Sequence, residues 1–482
     1  MNGRSLALLL LLGVAPRANA LGDPVPAEVR RYLLATFGRA SVSMPTTVEP
    51  KLATETKLAT LLVPSYARQT GLACHMCHYQ FPQLTPFGRQ FKLNGYVLSA
   101  LKPIESMHDS GRVSLSLSPI PPLSFMLVGS ATQLSDALPG TQNGTVAMPQ
   151  QLSLFLAGAI TPKVGTFTQV TYSAADNAVA IDNADIRYAD HTTLGSTSLT
   201  WGLTLNNNPT VQDLWNTTPA WGAPFLSSAT VPGATANPLI AGGLAQKVVG
   251  LGVYGMWNDL FYTELAAYRS AVPGGASPLD STARGAISGV APYWRLALQK
   301  TFGAQYLMVG TFGIAASLYP AGITGPTDRF TDFGFDAQHE MPVGEGHLVS
   351  RLSWITENQN WDASAAGATP TAAHVSNSLS TVRLNSSWYA SSMLGFTVGV
   401  FSTTGTTDTL LYAPAAITGS ANGKPETTGA MFEVNLNSWE NSRLVLQYTL
   451  YNTFNGGSTN YDGSGRKASG NSSLYLAWWL AF

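Results

Sequence analysis

The sequence has little charge, almost no cysteine and no long apolar run beyond its N-terminus. Charged residues make up 11% of the 482 residues, whereas ordinary soluble domains contain about 25%. After residue 14 there is no further stretch of roughly 18 or more apolar residues, which excludes transmembrane helices. A net charge of −1 removes the electrostatic basis for nucleic-acid binding. The composition is therefore typical neither of a soluble enzyme nor of a helical membrane protein.

Residues 1–20 have the pattern of a secretory signal peptide. Arg4 precedes an apolar stretch at 6–14, and a small-x-small sequence ends at Ala20. The apolar stretch is shorter than the roughly 20 residues that a spanning helix needs, so a cleaved signal is favoured over an anchor. We expect the mature chain to begin near Leu21, outside the cytoplasm.

Only two cysteines are present, Cys74 and Cys77, and His78 follows them directly. A Cys-x-x-Cys-His run is typical of c-type haem attachment, in which both thiols form thioethers and the imidazole is the proximal iron ligand. A redox-active Cys-x-x-Cys is expected in a βαβ pattern, and a zinc site needs a second ligand pair. Neither accompanies this motif, so we predict one covalent haem c on Cys74 and Cys77 with His78 as iron ligand.

Over residues 113–482 the chain alternates apolar and polar residues in sixteen segments, from near 121–134 to near 472–482. The connections mostly alternate short and long, as in outer-membrane barrels with periplasmic turns and external loops. A soluble β-sandwich shares the period of two, but it does not need sixteen segments with regular loop asymmetry. We predict an all-β transmembrane barrel of about sixteen antiparallel strands, with both barrel ends on the periplasmic side.

Residues 21–112 are predicted to form a small α-helical mono-haem cytochrome domain that plugs the barrel or lies on its periplasmic side. Helical apolar spacing occurs at 26–37. After the haem motif, Thr85 and Pro86 have the pattern of an N-cap and first helical residue, and Gly95 would end that helix. The candidates for packing on the porphyrin are Phe87, Phe91 and Leu93.

One face of the predicted strands collects polar side chains, which we interpret mainly as a hydrated, salt-bridged lumen. Three of the carboxylates, Asp185, Asp332 and Asp336, could instead line a metal path, because hard cations prefer oxygen ligands. The whole set consists of Asp185, Arg187, Asp332, Asp336, Arg351, Arg383, Glu433 and Arg443.

The sixth haem-iron ligand is predicted to be Met126, then Met107, with His108 as a nitrogen alternative. An axial methionine raises the potential of a c-type haem. In the first predicted strand, Met126 lies on the lumen face, opposite the lipid-facing Leu123 and Phe125. The alternative is a methionine that fills space beside the plug.

Two runs around the haem motif resemble the fused outer-membrane cytochrome–porins of iron-oxidising bacteria. They are VPSYARQTGLACHMCH at 63–78 and PQLTPFGRQFKLNGY at 82–96, and barrel runs at 121–126, 154–163 and 202–215 are similar as well. The resemblance implies an iron-oxidising oxidoreductase of the cell outer membrane. It would take electrons from extracellular Fe(II) and pass them to a periplasmic cytochrome c or copper protein.

Two other functions remain open from the residues alone: a porin whose haem plug takes electrons from another donor, and a plain diffusion channel. The predicted external loops also contain few acids, namely Asp213 in 208–246 and Asp408 in 405–425. Because few carboxylates would take up protons there as pH falls, we expect tolerance of an acidic exterior.

Overall fold

The computed structural model describes residues 64–98, 104–107, 113–117, 121–272 and 278–482. The predicted signal peptide at 1–20 and the helical spacing at 26–37 lie outside the described residues. Among the described residues, no helix is both long and apolar enough to cross a membrane.

Sixteen long strands form one closed antiparallel barrel, which confirms the predicted fold class. A two-residue strand, Ala286–Ile287, adds to the sheet between the strands Phe261–Ser270 and Ala291–Phe302. The strands are β5 (Leu123–Leu134), β6 (Thr145–Thr161), β7 (Val164–Ser173), β8 (Ala178–Leu194), β9 (Thr197–Asn206), β10 (Val248–Trp257), β11 (Phe261–Ser270), β12 (Ala286–Ile287), β13 (Ala291–Phe302), β14 (Gln305–Tyr319), β15 (Asp328–Val343), β16 (Gly346–Asn360), β17 (Ser376–Tyr389), β18 (Leu394–Gly405), β19 (Thr427–Trp439), β20 (Ser442–Thr453) and β21 (Ser473–Ala481).

The outer face of the barrel is apolar, and this follows from the alternation along each strand. In β21, Leu474 and Leu476 are exposed whereas Tyr475 and Ala477 are buried. Exposed leucine, valine and aromatic side chains recur on the outward positions of nearly every strand. An apolar exterior around a polar interior is the arrangement that a bilayer-spanning barrel requires.

The two ends of the barrel differ. At the short-turn end, connections such as 162–163 and 344–345 have two residues, and both ends of the barrel sequence lie there. At the long-loop end, the connections include 207–247, 406–426 and 454–472. The connection at 174–177 is a short exception at that end.

The short-turn end of the lumen is filled by residues 64–98, here called the plug. The sequence pattern at its last helix is confirmed: Thr85 is the N-cap, Pro86 begins the helix and Gly95 follows its end with a φ of 68°. The Tyr96 hydroxyl donates to Asp185 of the barrel wall at 2.6 Å. The plug consists of α1 (Ser65–Thr70), α2 (Cys74–Cys77), β1 (His78–Gln80), β2 (Gln83–Leu84) and α3 (Pro86–Leu93). A hairpin of β3 (Ile104–Met107) and β4 (Val113–Leu117) precedes the barrel.

The connection 207–247, here called the lumen loop, starts at the long-loop end but folds into the barrel. Every residue from 208 to 218 is buried. Asp213 was expected in an external loop, and that expectation is wrong, because its carboxylate lies 2.9 Å from Arg295 of β13. Arg295 also binds both oxygens of Asp336 on β15, at 3.0 and 2.8 Å. Because a buried charge requires a partner, the pairing of Asp213 with Arg295 holds the loop inside the barrel.

Asp408 organises the outer loops in a different way. Its side chain is fully buried and accepts hydrogen bonds from the backbone N–H groups of Leu411 and Ala373 and from the amide of Asn377. Burial raises the pKa of this carboxyl, but the hydrogen bonds outweigh it and lower the pKa to about 2. The carboxylate thus joins the loop 406–426 to the loop 361–375.

We predict that Arg295→Gln destabilises the barrel strongly. The variant leaves the Asp213 and Asp336 carboxylates buried without a cation, which typically costs about 3–5 kcal/mol. Urea unfolding in lipid vesicles, followed by tryptophan fluorescence, measures the loss. The control is Arg329→Gln, which breaks the half-exposed pair with Asp362 and should cost less than about 1 kcal/mol. Equal losses in the two variants would contradict the proposed anchoring.

We also predict that the loop 406–426 stays folded at about pH 3. A carboxyl whose pKa is lowered on folding stabilises above its unfolded pKa of about 3.9. That contribution is lost only as pH falls through the folded pKa of about 2. Pepsin at pH 3 should leave the loop of the wild type intact and cut it in Asp408→Asn. The control Asp176→Asn changes an exposed acid and should behave as wild type; cleavage of the wild type would refute the prediction.

Candidate functional site

The cysteine motif lies at the short-turn end of the lumen, on α2 and the start of β1. One carboxylate of the barrel holds it in place. Glu440, in the turn between β19 and β20, accepts from the backbone N–H of Cys74 and contacts Nδ1 of His75, each at 2.6 Å. The hydrogen bond with Glu440 raises the pKa of His75. Ala73 and His75 are exposed, so this edge of the motif faces the solvent.

Helix α3 packs directly on the other side of the motif. The backbone N–H of Thr85 donates to the carbonyl of Cys77 at 2.9 Å, and its hydroxyl donates to the carbonyl of Met76 at 2.5 Å. A side-chain carbon at Gly88 would lie 2.1 Å from the Cys77 carbonyl oxygen. Only glycine permits this close approach. The glycine at position 88 therefore allows helix α3 to pack directly on the cysteine motif.

A cavity that is partly open to solvent lies beside the motif. Cys74, Cys77 and His78 line it from the plug, and Met126 lines it from β5. Most of the remaining lining is aromatic or aliphatic. The aromatic members are Tyr66, Tyr79, Phe81, Phe91, Tyr96, Phe125, Phe155, Phe167, Trp221 and Trp479.

The electrostatics of the motif disfavour thiolate chemistry. Burial raises the pKa of Cys77 to about 12, and burial followed by the charge of Glu440 raises the pKa of Cys74 to about 12. A redox-active Cys-x-x-Cys works through a lowered thiol pKa, which is the opposite of what these surroundings produce. Both cysteines are free. Burial lowers the pKa of His78 to about 4, so its imidazole is neutral at neutral pH and can bind a metal.

The residues of this cavity fit a covalent c-type haem. Two free thiols, a neutral imidazole and a thioether line one largely apolar cavity. Nδ1 of His78 is buried and has no hydrogen-bond partner among the described residues. The strand alternation correctly put Met126 on the lumen face, where only 4% of it is exposed. The alternatives cannot be compared with it: the side chain of Met107 and all of His108 lie outside the described residues.

Sequence reasoning identified part of the cavity wall. Of the three residues proposed to pack on a porphyrin, Phe91 lines the cavity. Leu93 does not, because it packs with Leu214 and Trp215 of the lumen loop. Trp221 and Glu440 were not identified, since each comes from a connection whose path is set by tertiary contacts.

The charged residues predicted for the lumen do lie there, and most form ion pairs. The three carboxylates of the suggested metal path are not brought together: Asp185 and Asp336 bind arginines, and Asp332 lies beside Glu357 on β16. No group of three or more metal-ligating side chains occurs in the described part of the chain. The lumen pairs are Arg187–Asp185 at 2.8 Å, Arg295–Asp336 at 2.8 Å, Arg443–Glu433 at 3.3 Å and Arg89–Glu340.

The closed sheet and its apolar exterior define the class of this protein, a transmembrane β-barrel of sixteen long strands. No family model and no curated protein matches the chain. Among solved structures, it is similar to the outer membrane channel DcaP of Acinetobacter baumannii, with 13% identity, a TM-score of 0.42 and coverage of 75% of this chain and 96% of that one. It is also similar to OmpT of Vibrio cholerae (9%, 0.41, 75% and 98%) and to an anion-selective porin from Comamonas acidovorans (10%, 0.42, 75% and 98%). These likenesses concern the fold alone.

Proposed function

We propose that this protein is an outer-membrane oxidoreductase that takes electrons from extracellular Fe(II) and delivers them to a periplasmic one-electron carrier. The observation that carries the proposal is the apolar cavity shared by Cys74, Cys77, His78 and Met126. A covalent haem c held there would supply one-electron chemistry at a potential set by its axial ligands and burial.

Different residues of the cavity would attach the haem, bind its iron and exclude water. The thiols of Cys74 and Cys77 would hold the haem, His78 would bind its iron, and Met126 of the barrel wall would be the candidate for the second iron ligand. Aromatic side chains such as Phe91 and Trp221 exclude water from the cavity, and exclusion of water shifts the potential.

The electron leaves at the short-turn end, where the motif reaches the surface. Ala73 and His75 are exposed there, and Glu440 keeps this edge of the motif fixed to the barrel. Each ferrous ion that becomes ferric gives one electron, and each electron reduces one molecule of a periplasmic cytochrome c or copper protein. The iron remains outside, and the electron crosses the barrel.

The lumen loop supports this direction of transfer. It starts at the long-loop end and extends inward until Trp221 lines the cavity. Lys92 of the plug donates to the carbonyl of Val211 at 2.8 Å and to Asn216 at 2.9 Å, which joins loop and plug. The same filling of the lumen weighs against a plain diffusion channel.

We predict that the purified holoprotein is reduced promptly by ferrous iron, which visible absorbance measures. Cys77→Ala should abolish stable covalent haem staining, because one of the two attachment points is lost. His75→Ala is the matched control within the motif, and it should keep covalent haem because its side chain attaches nothing.

The outcomes separate the candidate functions. Normal covalent haem in Cys77→Ala would refute the c-type assignment. A haem that ascorbate reduces but ferrous iron does not would refute iron oxidation and support a barrel whose haem plug takes electrons from another donor. Absence of haem from the wild type would support the diffusion channel.

We further predict that Met126→Ala lowers the haem potential and alters the visible spectrum while covalent attachment persists. The reason is that loss of an axial thioether removes a ligand that raises the potential. The control is Met393→Ala, which changes a methionine that is 52% exposed in a short turn. Spectroelectrochemical titration measures both variants. A wild-type potential and spectrum in Met126→Ala would rule out this residue as the sixth ligand.

A further inference from the structure

A second, smaller cavity lies between the lumen loop and the barrel wall. The loop forms one side with residues 216–225, and β16, β17 and β18 form much of the other. The cavity shares Asn216 and Trp221 with the cavity beside the cysteine motif. None of its lining residues is an aspartate or glutamate, but two are arginines, Arg351 and Arg383.

Arg383 has no partner in the described part of the chain. It lies on the lumen face of β17 with Thr381 and Asn385, which are buried, whereas Val382 and Leu384 face outward. No hydrogen bond or ion pair joins its guanidinium to a described residue. A side-chain carbon at Gly222 would lie 3.2 Å from its Nη1, so the guanidinium rests against the loop backbone. Arg383 is partly exposed, so its unpaired N–H groups are accessible to a ligand in the cavity.

Arg351 adds a second charge that no carboxylate of the described residues contacts directly. Its side chain is buried and donates only to neutral acceptors: Gln338 at 2.9 Å and the carbonyls of Asn216 and Trp215 at 3.1 and 3.3 Å. The other arginines of the described lumen wall differ from these two, because Arg187, Arg295 and Arg443 each bind a carboxylate.

Asn385 supplies a neutral donor at the same place. It is directly opposite Arg351 in the β16–β17 register, and Arg383 is opposite Ser353. Its residue is 9% exposed, and its buried Nδ2 has no hydrogen-bond partner in the described structure. Buried amide groups are nearly always hydrogen-bonded, so this unpaired donor independently indicates a missing acceptor.

We propose that this cavity binds a small dianionic oxyanion, sulfate or phosphate, between Arg383, Arg351 and Asn385. Guanidinium groups present several N–H donors that match oxyanion geometry, and a dianion would balance both charges. The bound anion would lie next to Asn216, which Lys92 of the plug also contacts. The proposal does not depend on iron oxidation or on haem.

Isothermal titration of the purified full-length protein with sodium sulfate tests this site, with sodium chloride of equal ionic strength as the reference. We expect one sulfate per chain, with phosphate competing for it. Arg383→Gln should weaken binding about tenfold or more, as expected for loss of a charged hydrogen-bond partner. Asn385→Ala, which changes no charge, should weaken it by about threefold to tenfold.

Arg284→Gln is the matched control, because it removes the same charge from an exposed position in a connection at the long-loop end. It should bind sulfate as the wild type does. Equal weakening in Arg284→Gln and Arg383→Gln would show nonspecific charge attraction and overturn the proposal. Absence of saturable binding in the wild type would overturn it as well. Circular dichroism of each variant verifies that the barrel is folded, and Asn385→Ala provides the test if Arg383→Gln is not.

Discussion

The rest of the structure depends on closure of the sheet between its first and last strands. Phe125 and Phe482 exchange backbone hydrogen bonds of 2.6 and 2.9 Å, and the pairing continues from Met126 opposite Ala481 along β5 and β21. Inside a bilayer no water can satisfy an open strand edge, so a spanning sheet must close. With sixteen strands, the wall side chains alone do not fill the enclosed space, which is left for water or for other parts of the chain.

The plug and the lumen loop fill that space, and charge pairing determines how they do so. The ion pair between Asp213 and Arg295 holds the lumen loop against the wall. Lys92 of the plug donates a hydrogen bond to the loop. Because a buried charge without a partner is strongly destabilising, these contacts make wall, loop and plug one packed unit. Two neighbouring cavities remain in the lumen. Asn216 and Trp221 line both of them.

The two cavities have opposite chemistry, and their different linings follow from the parts of the chain that form them. The larger one is bounded by aromatic residues of plug and wall, which suits an apolar cofactor beside Cys74 and Cys77. The smaller one is bounded by Arg351 and Arg383 without any lining acid, which suits an anion.

Local patterns in the sequence were sufficient to predict the barrel, the lumen face of Met126 and the start of α3 at Thr85. Each depends on a period of two, or on a cap whose residues are neighbours in the chain. Tertiary structure alone decided that Asp213 lies in the lumen, that Glu440 holds the cysteine motif, and that no carboxylate of the described residues pairs with Arg383. The physical reason is that strand periodicity specifies which way a side chain points, whereas its partner is chosen by burial among residues distant in sequence.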